Sequence, residues 1–387
     1  MRSRVVLLSS GLAAAMLLAA CGGGSEGGDS GGSGGAPSEI SVAVAGPTTG
    51  DNAVYGNEQL RGIQLAAEAF TAAGGPKVKV VSFDDAADPN QGASVAQKIC
   101  DDTSLIAAFG HSNSSVTLAA MPIYQRCGIP LIVSYSSNPK ITATLTSNVF
   151  RALPDDNALG GEQAILGKQV GMTKVGVLTS PDDYGAGVTA AFQKTAGEIG
   201  MTVAKQITTS PNQKDFTPQL TDLKNAGADG LALANTYTDA ALQIKQARAM
   251  GWKVPIIVTA GSNTPELINI GGKDATEGTY IAAVFDPGST TPGVAAFNKA
   301  YTAKFGGSSG TEAAAMAYNS FEIFAASWKA GGTGREGVIS KAASIKTFEF
   351  PITGKTTLNA NQGIDPDPND PFSVLLQVKG GVIASGS

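Results

Sequence analysis

The residues best placed to do chemistry lie in one stretch, Phe109-Gly110-His111-Ser112-Asn113-Ser114-Ser115-Val116-Thr117, where an apolar run gives way to small polar residues and then to an amphipathic segment. The pattern predicts a strand, a turn and a helix start. Backbone N–H groups without helical partners converge at such a turn, the helix dipole adds partial positive charge, and Ser or Asn side chains can donate to a bound anion. A small carboxylate suits that chemistry. The alternative is that these residues only cap the helix, a position Ser and Asn favour in any case.

Nucleophilic catalysis needs a base, and His111 is the sole histidine. The G-x-S-x-G pattern from Gly31 to Gly35 falls in a Gly/Ser tract, where no strained strand-to-helix elbow can form. The chain shows no Walker loop, no G-x-G-x-x-G opening a helix after a strand, and no clustered metal ligands. Asp365, Asp367 and Asn369 imitate the start of a calcium loop, but Pro366 and Pro368 interrupt it and no glutamate stands at position twelve, so a turn is expected. His111 reads as a neutral positioning or capping group. No enzyme activity, metal or cofactor is expected.

The elements that must hold such a turn follow from length and patterning. A chain of 387 residues, 42% hydrophobic and 15% charged, can bury a large core and suggests about two domains. Met1-Arg2-Ser3-Arg4 followed by an apolar run over 5–20 reads as an export signal. Its end, Leu18-Ala19-Ala20-Cys21, looks like a bacterial lipobox, which predicts cleavage before Cys21, lipid on its sulfur and a flexible Gly/Ser tether over 21–37. The alternative is a plain secretory signal with Cys21 near the cleavage point. Loss of Arg2 and Arg4 takes the net charge from −5 to −7, leaving no basic patch for nucleic acid. Cys100 and Cys127 are expected to pair in an oxidising compartment; the alternative is two separate buried thiols.

From residue 40 short β-branched runs alternate with helical segments, the signature of parallel strands and crossover helices. Strands are predicted at 40–46, 78–84, 105–110, 129–135 and 149–153, and again at 174–179, 202–208, 230–234, 255–259 and 278–285. Two long helices at 293–304 and 311–330 follow, and then a less regular remainder with one final strand at 372–378. Open α/β sheets bind ligands at the C-terminal ends of their strands, so two facing lobes would make a cleft. An exported, tethered chain of this kind suggests capture of a small molecule.

Several landmarks together resemble the type I periplasmic binding proteins, in particular the leucine/isoleucine/valine-binding branch that serves ABC transporters. They are Gly46-Pro47-Thr48-Thr49-Gly50, Tyr55-Gly56, Asp84-Asp85-Ala86-Ala87-Asp88-Pro89, the stretch Gly110 to Ser115, Pro122-Ile123-Tyr124, Gly128-Ile129-Pro130 and Asp183-Tyr184-Gly185. The resemblance implies two doubly wound parallel-sheet lobes joined by a multi-crossing hinge near 153–155, 285–287 and 350–354. It divides the chain into a signal at 1–20, the tether at 21–37, a first lobe of 38–153 plus 287–353, and a second of 154–286 plus 354–387. It places the ligand carboxylate at Ser114 and at Tyr135, Ser136 and Ser137, with Ser112 and Asn113 of the same turn expected to join the ligand site. Tyr55 would line the first lobe, Tyr184 and Tyr237 would close from the second, and Ala260 and Gly261 would complete the site.

One departure matters. Members that bind α-amino acids place an acid after the fourth strand of the second lobe to meet the ammonium, and here that segment reads Val258-Thr259-Ala260-Gly261-Ser262. Either another acid serves, with Asp182, Asp183 and Asp239 as candidates, or the ligand lacks an amine. The implied function is the substrate-binding component of an ABC importer: a monomer, held to the membrane through Cys21, that presents a hydrophobic amino acid or other small carboxylate to permease subunits. An amide, urea, aromatic or 2-oxo acid is the alternative ligand, and a hydrolase on the same scaffold is the remote one.

Overall fold

The structure, a computed structural model, describes residues 37–365 and 372–386. The leader, Cys21, most of the tether, and Asp367 and Asn369 lie outside the described residues.

The chain opens with β1 (Glu39–Gly46), α1 (Ala53–Ala72), β2 (Lys77–Asp84), α2 (Pro89–Asp101), β3 (Leu105–Gly110), α3 (Ser114–Cys127), β4 (Leu131–Val133) and β5 (Val149–Arg151). These five strands form a parallel sheet in the order β2-β1-β3-β4-β5. Parallel neighbours require crossovers, and the helices supply most of them while covering both faces. One face gathers Val42, Val44, Ile63, Phe70 and Phe109, and the other Ala43, Val95, Ile99, Leu131 and Tyr124. Asp88 starts α2 by accepting from the N–H groups of Asn90 and Gln91. Gly128, at φ 66°, ends α3 in the left-handed region that a side chain would resist. Cys100 and Cys127 are joined, tying α2 to the end of α3.

The second lobe repeats the plan: α4 (Asp156–Gln169), β6 (Lys174–Thr179), α5 (Asp183–Glu198), β7 (Thr202–Thr208), α6 (Thr217–Asn225), β8 (Gly230–Ala234), α7 (Tyr237–Ala249), β9 (Ile256–Val258), α8 (Glu266–Gly271), α9 (Lys273–Thr276) and β10 (Tyr280–Ala283). The chain then returns through α10 (Pro292–Phe305), α11 (Glu312–Lys329) and α12 (Gly334–Ser344). Phe321 and Phe324 of α11 join the first core beside Phe70 and Phe109.

Three features depart from the expected pattern. A hairpin, β11 (Thr347–Phe350) and β12 (Gly354–Thr357), stands where the sequence predicts an irregular stretch, and its Phe348 and Phe350 pack in the first core together with Leu358 and Ile364. Leu358 and Ile364 thus pack with the first core although they lie beyond the 353/354 boundary expected from sequence. The final strand is two, β13 (Val374–Lys379) and β14 (Val382–Ser385), turned by Gly380 and Gly381 at φ 60° and 77°. Each pairs antiparallel with its neighbour, so the second sheet, β14-β13-β10-β9-β8-β6-β7, is parallel only from β10 to β7.

Candidate functional site

The C-terminal ends of the two sheets face each other across a cavity of about 40 Å³. Its first-lobe wall is the turn between β3 and α3, with Ser112, Asn113 and Ser114, the segment after β4, with Tyr135 and Ser137, and Tyr55 from the first turn of α1. The opposite wall carries Tyr184 at the start of α5, Thr236 after β8, and Ala260 and Gly261 after β9. Leu153, Leu159 and Val284 add apolar surface, and Asp182 and Glu312 add carboxyl groups.

The β3–α3 turn is held from behind by a polar network. His111 is wholly buried, with Nδ1 2.6 Å from Asp85 Oδ2 and Nε2 3.1 Å from the Tyr124 hydroxyl. Its carbonyl accepts from Ser136 Oγ at 2.7 Å, and Ser136 also pairs with Thr117 Oγ1 at 2.6 Å. Ser112 Oγ donates to Gln59 Oε1 at 2.7 Å. Ser114 Oγ accepts from the Asn138 N–H at 3.3 Å, which leaves its own proton for another acceptor. Asn113 sits at the N-cap of α3 without a side-chain capping bond, and its buried Oδ1 has no partner. A turn rich in donors at a helix start, rigidly backed, is suited to a carboxylate.

The expected site residues separate into two groups. Tyr55, Ser112, Asn113, Ser114, Tyr135, Ser137, Tyr184, Ala260 and Gly261 come together on the cavity. Ser136 does not line it, because its hydroxyl is spent on the His111 carbonyl. Tyr237 also stays outside: its hydroxyl donates to the Asp51 carbonyl at 2.7 Å, and its N–H donates to Tyr55 Oη at 3.4 Å. Ser137 donates to Asp156 at 2.6 Å, so its proton is engaged even though it lines the cavity.

Tyrosines close the roof. Tyr55 Oη donates to the Gly261 carbonyl, and Tyr135 Oη donates to that of Ala260 at 3.3 Å. A Cβ on Gly261 would meet Tyr184 Oη at 3.3 Å and Tyr55 Oη at 3.5 Å, so glycine lets both phenols approach. Burial raises the Tyr55, Tyr135 and Tyr184 phenols above the usual range, and they act as neutral hydroxyls. Around this roof the lobes are latched. Asp183 accepts from Ser115 Oγ at 2.8 Å and Lys140 Nζ at 3.1 Å, and its carbonyl accepts from Asn138 Nδ2 at 2.6 Å. Asp51 accepts from Lys214 Nζ at 2.9 Å and, through its carbonyl, from Thr238 Oγ1 at 3.0 Å.

Of the acids proposed from sequence, Asp182 lines the cavity but caps α5, Asp183 belongs to the latch, and Asp239 lies outside, pushed up to about 6 by burial. The acid that sequence reading passed over is Glu312. Its Oε2 accepts from Asn263 Nδ2 at 2.9 Å and from the Val284 N–H at 3.0 Å, and burial pushes it up to about 8. The only signal was an acid opening the apolar run Ala313-Ala314-Ala315-Met316, which reads equally as a partner for the helix dipole. Among the described residues no group of three or more His, Cys, Asp or Glu could hold a metal, and no helix is long and apolar enough to cross a membrane.

Comparison with known proteins agrees with this geometry. The family model described as "Periplasmic binding protein" matches residues 39–377. An "Amino acid binding protein" of Pseudomonas aeruginosa is 31% identical over 271 residues, 68% of this chain and 72% of that one. A leucine-, isoleucine-, valine-, threonine-, and alanine-binding protein of the same organism is 29% identical over 323 residues, 82% of this chain and 85% of its own. The solved structure of a leucine-binding protein from Thermotoga maritima superposes with a TM-score of 0.81 at 26% identity, covering 90% of this chain and 98% of the other. With two α/β sheets meeting end to end over a polar turn and a tyrosine roof, the chain belongs to the periplasmic binding proteins, a family that binds its small molecules rather than converting them.

Proposed function

We propose that the chain is the extracytoplasmic substrate-binding component of an ABC importer and captures a small carboxylate, a branched-chain or other hydrophobic amino acid. The observation that carries this reading is the pairing, on one cavity, of the Ser112–Ser114 helix start with the apolar side chains of Leu153, Leu159 and Val284. Carboxylate goes to the turn and hydrocarbon to the apolar wall. The names of the Pseudomonas relatives support the same ligand class.

Capture works by hinge closure. The first lobe, 38–153 with 287–364, binds the carboxylate; the second, 154–286 with the terminal strands, brings Tyr184 over it, and the latches at Asp183 and Asp51 hold the closed form that a permease would recognise. The phenols of Tyr55 and Tyr135 occupy the Gly261 and Ala260 carbonyls in this form and are the groups an incoming ligand shifts. Lipid on Cys21 tethers the mature monomer to the outer face of the membrane. Replacing Cys21 by Ser should move the protein from the membrane fraction to the medium.

Calorimetric titration with alanine, threonine, valine, leucine and isoleucine, each beside its 2-oxo analogue where one exists, tests the reading. Micromolar or tighter binding of at least one amino acid is expected. Binding confined to amine-free acids or amides, which the bare Ala260–Gly261 segment would permit, overturns the amino-acid assignment.

A further inference from the structure

Glu312 opens α11 and is 1% exposed, yet it is one of the residues that line the interlobe cavity. Oε2 is doubly satisfied by Asn263 and Val284, which come from the second lobe's side. Oε1, equally buried, has no hydrogen-bond partner; Tyr135 lies beside it but turns its hydroxyl to the Ala260 carbonyl. No Lys or Arg is among the described residues that line this cavity. The titratable groups that share this cavity with Glu312 are Asp182 and the phenols of Tyr55, Tyr135 and Tyr184; a second cavity behind it, which Glu312 also lines, carries Glu266, Lys273, Tyr301 and the pair Glu58 and Arg61, 2.5 Å apart.

A buried carboxyl oxygen with no donor is costly to folding, and the cost is recovered when a donor arrives. A cation is the donor that recovers most. The Ala260 carbonyl accepts from the Asn263 N–H at 2.9 Å and only at 3.3 Å from Tyr135, a weak bond that an incoming donor on the same cavity can replace.

We propose that Glu312 is the acid that meets the ligand's ammonium group, doing from α11 what Ala260 and Gly261 cannot, and that the ligand is therefore a zwitterionic α-amino acid rather than an amine-free acid or an amide. The inference rests on the binding function proposed above and specifies its ligand. Because Glu312 stands on the first lobe's returning helix and is bonded to Asn263 and Val284, it ties recognition of the ammonium to the approach of the two lobes. The free carboxyl, raised to about 8 by burial, is pulled back toward ionisation by an adjacent ammonium and so releases its proton on binding.

The test compares wild type with Glu312→Gln, which keeps the size and an acceptor for Val284. Titrations use L-isoleucine and its 2-oxo analogue, 3-methyl-2-oxopentanoate, at pH 8 in two buffers of different ionisation enthalpy. For wild type, isoleucine should bind with release of about half a proton. In Glu312→Gln that release should disappear and isoleucine affinity should fall about 100-fold, while any affinity for the oxo acid changes less than threefold. Isoleucine affinity and proton release unchanged in Glu312→Gln overturn the role of Glu312 and leave the binding function standing. Wild type that binds only the oxo acid overturns both the ammonium site and the amino-acid reading.

Discussion

Removing the charge of Glu312 should stabilise the ligand-free protein, and only at neutral to alkaline pH. The side chain titrates at about 8 in the fold against an ordinary 4.5, because burial penalises the charged form. The folded state thus holds the proton more tightly than the unfolded chain does. Its contribution is fully present below about pH 4.5 and is lost progressively as pH rises through about 8. Linkage puts the loss at about 1 kcal/mol at pH 5 and about 4 kcal/mol at pH 8 as an upper bound. Relaxation around a buried charge lowers such penalties, and about 2 kcal/mol is the working figure. At about 2 °C per kcal/mol for a chain of this size, Glu312→Gln should melt about 4 °C above wild type at pH 8 and within about 1 °C of it at pH 5. Differential scanning calorimetry on protein stripped of ligand by unfolding and refolding measures this directly. Asp156, raised to about 8 by burial, and Asp239, raised to about 6, keep a residual pH slope in the variant. An equal gain at both pH values, or none at pH 8, would refute the reasoning, since only an ionising carboxyl produces the difference.

Other outcomes follow from the same geometry. Ser114→Ala removes a hydroxyl with a free proton at the α3 start and should weaken isoleucine and its oxo analogue alike, by about 1 kcal/mol or five- to tenfold in titration; a loss confined to one of the two would place the carboxylate elsewhere. Asp183→Ala cuts the bonds to Ser115 and Lys140 that span the lobes and should raise the ligand off-rate about tenfold in stopped flow with little change in on-rate. An unchanged off-rate would remove Asp183 from the latch. The disulfide closes a loop with a sequence separation of 27, so replacing Cys100 and Cys127 together by Ala should cost about 3 kcal/mol in urea denaturation, with ligand affinity unchanged.

The alternation of β-branched runs with amphipathic segments was enough to read both lobes, and the turn at Gly110 to Ser115 was legible because a strand, a cap and a helix start are local matters of spacing and side-chain chemistry. The pairing of Cys100 with Cys127 needed only their number and an exported chain. What remained hidden depended on contacts distant in sequence. Ser136 reads like Ser137, yet one backs the His111 carbonyl while the other faces the cavity, and only the packing of the segment after β4 against the β3–α3 turn separates them. Leu358 and Ile364 sit in a polar stretch, and nothing local in sequence shows that they pack in the first core. Glu312 lies 50 residues or more from the Ala260–Gly261 gap in sequence and meets the same cavity only because α11 returns to the first lobe and points its N-terminus at the cleft. Sequence by itself determined two α/β lobes and a strand-turn-helix segment whose donors suit a carboxylate, because those signals are short-range. Which acid stands opposite that turn is a property of the tertiary structure, since burial and one carboxyl oxygen left without a donor are what set Glu312 apart from an ordinary helix-start glutamate.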